Sequence, residues 1–201
     1  MRQPFPTESL GNIVSITGGG TPSKSNADYW KGSIPWISPK EMKVWEIHRA
    51  SSYVSDEAVR ESSCTLIEPP AILIVVRGMI LIHTVPVAIS RVPLVINQDM
   101  KALTPREGVD HEYLAFMIKS ASRELLGRVS VAGHGTRRLT TDAWKSLQIP
   151  LPAIEEQNRL VATLKENLER LDEIERIRKQ LQTELPLLRD AILRKAFAGE
   201  L

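Results

Sequence analysis

One cysteine, Cys64, stands among 201 residues, so no internal disulfide can form and the fold has to be held by packing, as in a reducing compartment. Nothing from Met1 to Gly11 has the apolar run of a secretory signal. The longest apolar stretch, Ala71 to Ile89, is interrupted by Arg77, His83 and Pro86, and its Val and Ile content fits buried strands better than a membrane span. These absences predict a cytoplasmic protein without a membrane segment. A strong charge of one sign is also missing. The formal net charge is +2, too small to demand a nucleic-acid partner by itself.

Most catalytic signatures are missing as well. His48, His83, His111 and His134 stand at no ligand spacing, which with a single cysteine argues against zinc. The run Gly18 to Ser25 has Lys24 and Ser25 where a phosphate-binding loop would have them. However, Ser23 replaces the required second glycine, and Pro22 removes a backbone N–H that would cradle phosphate. There is no nucleophile elbow, no glycine-rich dinucleotide fingerprint and no aromatic-proline tetrad for holding a flipped base. Asp28, Glu41 and Lys43 loosely match the acidic-acidic-lysine pattern of Mg²⁺-dependent nucleases, a pattern common by chance that leaves a small nuclease as one alternative. The main expectation is a chain with no catalytic site, no bound metal and no cofactor of its own.

What is present is the composition of a soluble fold, 42% hydrophobic and 25% charged residues, in a length sufficient for one domain with an extension or for two small ones. The pattern changes at Ile149-Pro150-Leu151-Pro152. Before it, short apolar runs (Ile13 to Ile16, Ile72 to Val76, Met79 to Ile82, Leu94 to Ile96) alternate with Gly, Pro, Ser and Asn, which predicts a β-rich domain with functional loops. Two helices are expected within it, a short one over Ser55 to Ser62 and a longer one over His111 to Leu126 capped by Asp110.

After Pro152 no glycine occurs until Gly199, and Glu155 and Glu156 open a long helix at the positive end of its dipole. Leu164, Leu168, Leu171, Ile174, Ile177, Leu181, Leu185, Leu188 and Ile192 cover 28 positions in eight steps. The mean step of 3.5 residues is that of a coiled-coil seam. Pro186 is expected to kink this helix or to split off a short terminal segment. A helix over residues 153–199 would reach about 70 Å, too long to fold back on its own domain, so it calls for another copy of itself, a different subunit, or both.

Charge is unevenly shared. The tail from Leu151 holds ten acidic and nine basic residues, and the region before it holds 17 basic against 14 acidic. Between Arg128 and Lys145, the cations Arg128, Arg137, Arg138 and Lys145 face only Asp142. The cluster reads equally as solvated surface or as a basic patch. Its loop, with His134, Thr136, Arg137 and Arg138, joins a hydroxyl to guanidinium forks suited to guanine edges or phosphates. Thr21, Ser23 and Lys24 form a second polar loop, Ser38 and Lys40 a third, and Arg77 follows an apolar strand. These ten residues are the candidate DNA contacts.

The order of several segments carries a resemblance. Gly19-Gly20-Thr21-Pro22-Ser23, Tyr29-Trp30 and Ile34-Pro35-Trp36-Ile37 come first; Arg77-Gly78 and Ile96-Asn97-Gln98-Asp99 before Lys101-Ala102-Leu103 follow. Gly135-Thr136 with Leu139, Ile149-Pro150-Leu151-Pro152 and Glu156-Gln157 come next, and Leu188-Arg189, Ile192-Leu193, Lys195-Ala196-Phe197 and Gly199-Glu200-Leu201 end the chain. In this order, along nearly the whole chain, they resemble the specificity subunits of type I restriction-modification enzymes. The resemblance implies an α+β fold with a target-recognition domain over residues 1–150 and a coiled-coil spacer helix over 151–201. It implies a non-catalytic reader of double-stranded DNA that positions methyltransferase subunits and ATP-driven restriction subunits, to which S-adenosylmethionine, ATP and Mg²⁺ belong. Asn97-Gln98-Asp99 and Trp36 are expected to be structural, as a turn between strands and a core anchor.

Length departs from the family, whose usual member carries two recognition domains and two antiparallel helices. One of each is present here, and a homodimer through the helix would restore the arrangement. A free-standing DNA-binding or regulatory protein, and a fragment, are the other readings of a chain of this length.

Overall fold

In the computed structural model, which describes residues 5–131 and 135–200, short apolar runs bounded by turn residues become short strands. In chain order the elements are β1 (Thr7–Ser9), the single turn α1 (Leu10–Ile13), β2 (Val14–Gly18), β3 (Ile34–Ile37), β4 (Glu46–Ile47), β5 (Ser52–Val54), α2 (Asp56–Glu61), β6 (Ile72–Val75), β7 (Val87–Ser90), β8 (Val95–Ile96) and β9 (Met100–Pro105). There follow α3 (His111–Ser120), α4 (Ser122–Gly127), β10 (Ser130–Val131), β11 (Arg137–Arg138), α5 (Thr141–Lys145), β12 (Gln148–Pro150) and α6 (Ile154–Ala198), while Ala27–Trp30 and Met79–Ile82 are 3-10 turns. The fold is α+β, as expected.

Five strands form the main sheet in the order β2-β9-β6-β7-β4, antiparallel except for the β4–β7 pair. Every residue of β6 and β7 is buried, which is why their sequences show no polar alternation. A smaller sheet, β5-β3-β8, packs its own cluster of Val54, Ala58, Cys64 and Val95 with the flanks of Trp30 and Trp36. β1 pairs with β12 and so joins the two ends of the domain, and β10 pairs with β11.

The helix starts follow their caps. Ser55 Oγ accepts the Ala58 N–H at 3.2 Å, and Asp110 Oδ1 accepts the Tyr113 N–H at 2.8 Å. Three expectations are corrected. The His111 to Leu126 helix is broken at Ala121 into α3 and α4, where the Ser122 hydroxyl accepts the Val85 N–H at 3.2 Å, a tertiary bond that periodicity cannot register. Met79 to Ile82 is not a strand, because Gly78 at φ 131° turns the chain out of the sheet and only Leu81 is buried. Of the kink or split expected at Pro186 the split is absent, since the 45 residues of α6 run unbroken through it for a length of about 67 Å.

The chain divides into two units, Met1–Asn158 and Arg159–Leu201. The first turn of α6 belongs to the first unit and is fixed there by a fully buried amide. Gln157 Oε1 accepts the Asp110 N–H at 2.9 Å, and its Nε2 donates to Gly108 O at 3.0 Å and Pro152 O at 2.9 Å. Tyr113 adds a hydrogen bond to Pro150 O at 2.7 Å. In the second unit, Leu168, Leu171, Ile174, Ile177, Leu181, Leu185, Leu188 and Ile192 are all exposed. Ion pairs such as Arg170–Glu166 and Arg178–Glu175 lie along the same helix.

Replacing Gln157 by Leu leaves one N–H and two carbonyls without their partner in a buried place. At about 1–3 kcal/mol per unpaired group, we expect Gln157→Leu to lower the unfolding free energy by about 3 kcal/mol or more, measured by urea titration of the full chain. A loss under about 1 kcal/mol would mean that these backbone groups find other partners.

Candidate nucleic-acid interface

The loop that follows β2 lies against the β8–β9 connection because Gly19 and Gly20 have no side chain. A Cβ at Gly19 would stand 2.1 Å from Asn97 O, and one at Gly20 would stand 2.2 Å from Ser63 O. The loop is then pinned from several sides. Gly20 N–H donates to Ile96 O at 2.8 Å, Trp36 Nε1 donates to Gly20 O at 3.1 Å, and Thr21 Oγ1 donates to Gln98 Oε1 at 2.6 Å. Trp30 Nε1 reaches Ser23 O at 3.2 Å and meets Trp36 edge to face with 5.4 Å between ring centroids.

These contacts build one wall of an open groove of about 820 Å³. Lys24 lines it with Ser38 and Lys40 from the loop after β3, together with Trp30, Trp36 and the more distant Asp99. Both lysines are exposed. Ser38 is nearly buried and its hydroxyl donates to Glu41 Oε2 at 2.7 Å, so its proton is already committed. Glu41 also accepts the Ser38 N–H at 2.9 Å and the Ser51 hydroxyl at 2.6 Å. Burial works to raise the Glu41 pKa, but the Ser51 and Ser38 bonds to the ionised form outweigh it and the net shift is downward.

A second cluster forms around β11. Arg77 bridges to Arg138, Gly78 N–H donates to Arg137 O at 3.0 Å, and Leu139 N–H donates to Val76 O at 2.9 Å. The backbones of Arg77, Arg137 and Arg138 therefore meet although about 60 residues of sequence separate the first from the others. Thr136 is half-buried just before β11, and His134 lies outside the described residues. The two clusters share Asp99. It lines the groove, its carboxylate stands 3.9 Å from Arg77 Nε, and its carbonyl accepts the N–H groups of Val76 and Arg77 at 2.8 and 3.1 Å.

Not every cation of the basic stretch points outward. Arg128 is used internally, donating to Ala143 O at 2.6 Å and Ser146 Oγ at 3.0 Å and pairing with Glu124. The nuclease pattern is not assembled: Asp28 pairs with Lys31 at 2.9 Å while Glu41 accepts from two serines. Among the described residues no three His, Cys, Asp or Glu side chains gather as a metal site. No helix among them is long and apolar enough to cross a membrane. Asn97-Gln98-Asp99 is the turn between strands that was expected, joining β8 to β9, and sequence reasoning missed only which loops Gln98 and Asp99 hold and that Glu41 positions Ser38 and Ser51.

Comparison with known proteins bears on the family and the fold. The family model described as the type I restriction modification DNA specificity domain matches residues 4–185. The EcoR124I/EcoR124II specificity subunit of Escherichia coli is 40% identical over 158 residues, which are 78% of this chain and 39% of that protein. The MjaIX specificity subunit of Methanocaldococcus jannaschii is 33% identical over 161 residues, 78% of this chain and 36% of that one. The chain thus spans less than two fifths of the length of these relatives. In fold it matches, over its whole length, 47% of a chain in a type I R-M system structure (TM-score 0.74, 24% identity) and 46% of the HsdS subunit from Thermoanaerobacter tengcongensis (TM-score 0.71, 23% identity).

Because the folded Glu41 carboxyl holds its proton less readily than the unfolded one, its clamp stabilises the fold above the unfolded pKa of about 4.3. That contribution is lost as pH falls through the lower folded value. We expect Glu41→Gln to be less stable than the parent near neutral pH, with the gap narrowing below about pH 4. Urea melts at both pH values check this; a gap independent of pH would remove the ionised clamp as its cause.

Proposed function

The chain belongs to the family of type I restriction modification DNA specificity domains, and from that premise we propose that it reads a short sequence in double-stranded DNA and catalyses nothing itself. Residues 1–150 act as the target-recognition domain and 151–201 as the spacer helix. The observation that carries this reading is the gathering of Arg77, Arg137 and Arg138 through the β11 backbone bonds, next to a groove rimmed by Lys24 and Lys40. Guanidinium forks on a fixed backbone suit base edges and phosphates, and lysines on long stems suit phosphates. Thr21, Ser23, Ser38, Thr136 and His134 complete the proposed contact set, with Ser38 acting through the shape of its loop.

Bound DNA is then presented to methyltransferase subunits, which transfer a methyl group from S-adenosylmethionine, and to restriction subunits that use ATP and Mg²⁺. Those cofactors belong to the partner subunits. The seam from Leu164 to Ile192, exposed from Leu168 onward, supports a homodimer in which two spacer helices pack antiparallel and two recognition domains read an interrupted palindrome. The setting is the cytoplasm, where the genome and the partner subunits are.

Two measurements test this. In titrations with the preferred duplex, Arg137→Ala and Arg138→Ala should each weaken binding about tenfold and lower the salt slope by about one, while Lys165→Ala does neither. Unchanged binding in both arginine variants would remove them from the interface. Light scattering over a wide concentration range should give a mass near twice 22.5 kDa, and a mass of one chain throughout would assign the seam to another subunit.

A further inference from the structure

The turn Met79–Ile82 is apolar and displayed. Met79 is 59% exposed, Ile80 37% and Ile82 45%, and Val131, 59% exposed, sits opposite Arg137 in the β10–β11 pair. Large apolar side chains grouped on a surface in this way mark a contact site. The turn is held in shape by its buried Leu81 and by the Gly78 N–H to Arg137 O bond at 3.0 Å. The Leu81 N–H to Gly78 O bond at 3.2 Å and the Thr84 N–H to Ile80 O bond at 3.1 Å add to this. A tip fixed before binding loses little entropy on contact. Arginines flank it: Arg77 precedes Gly78 directly, Arg138 bridges to Arg77, and Arg137 holds the Gly78 N–H.

We propose that this turn is a base-contacting tip, in which Met79, Ile80 and Ile82 pack on thymine methyl groups inside a groove of duplex DNA while Arg77, Arg137 and Arg138 meet the phosphates beside it. The inference rests on the DNA-reading function proposed above and adds how part of the sequence is read. Duplex DNA is the occupant with complementary chemistry, because it sets apolar methyl groups between rows of negative charge. An apolar pocket on a protein would need the methionine and isoleucines but not three arginines on the backbone that flanks them.

The full-length chain is first used to select its preferred sequence from a random duplex pool, and the double variant Met79→Ser, Ile80→Ser is then compared on that site. The variant should bind the selected site about tenfold more weakly, with unchanged affinity for unrelated duplex and an unchanged salt slope. Deoxyuridine in place of thymine, which removes only the methyl groups, should weaken the parent by a similar factor and leave the variant unaffected. A thermal melt equal to the parent's confirms that these two exposed side chains can be changed without loss of fold. A variant that reads the site as the parent does, a parent indifferent to deoxyuridine, or a selected site without A·T pairs overturns the tip and leaves the DNA-reading function standing. A parent that selects no sequence overturns both.

Discussion

The proposed recognition face depends on how closely the loop after β2 passes the β8–β9 connection on one side and Ser63 on the other. Gly19 and Gly20 are the only residues that fit there, since any Cβ would fall about 2 Å from the carbonyls of Asn97 and Ser63. The close approach lets Gly20 donate to Ile96 and accept from Trp36, and lets Thr21 reach Gln98. On one side of the crossing the loop continues to Lys24 and the groove. On the other, the Asn97–Asp99 turn supplies the carbonyl that holds the N–H groups of Val76 and Arg77. One steric constraint thereby fixes both cationic clusters to the same turn.

Around that crossing the polar side chains divide into those consumed by the fold and those left to face outward. Ser38 and Ser51 are spent on Glu41, Arg128 on the carbonyl of Ala143, and Gln157 on three backbone groups. Arg91 joins Glu46 and Glu112 at 2.5 Å each and ties β4 and β7 to α3. For Ser38 and Gln157, which are buried, the bonds remove the cost of an unpaired polar group; for the partly exposed Arg91 and Arg128 they fix the side chain in place. The charges remaining on the surface therefore give a better account of the proposed binding face than the net charge of +2.

Much of this was legible in the sequence where the cause is local. The seam from Leu164 to Ile192 repeats every three or four residues, and Ser55 and Asp110 announce their helices through capping. The Gly19-Gly20 motif could be matched to a family, yet nothing in it names Asn97 and Ser63 as the groups it must pass. The break at Ala121 depends on a bond from Val85, and the groove depends on Trp30 and Trp36 meeting across two elements. Met79 to Ile82 misleads for a different reason. Its apolarity predicts burial, but Gly78 and the Arg77–Arg138 bridge turn it outward, so it is read correctly only when the chain 60 residues further on is in place.

The two cationic clusters also differ in what they can discriminate. Lys24 and Lys40 are exposed on the groove rim, where an ammonium on a four-carbon stem can follow a phosphate over several ångströms and tolerates small shifts in register. Arg77, Arg137 and Arg138 sit on backbone already fixed by the Gly78 and Leu139 hydrogen bonds. A planar fork on a fixed strand meets its partner well in one register and poorly in the next. Affinity that tolerates displacement and contacts that do not are separate physical requirements of the proposed sequence reading; the two clusters lie on different loops, and Asp99 lines the groove of one while pairing with Arg77 of the other.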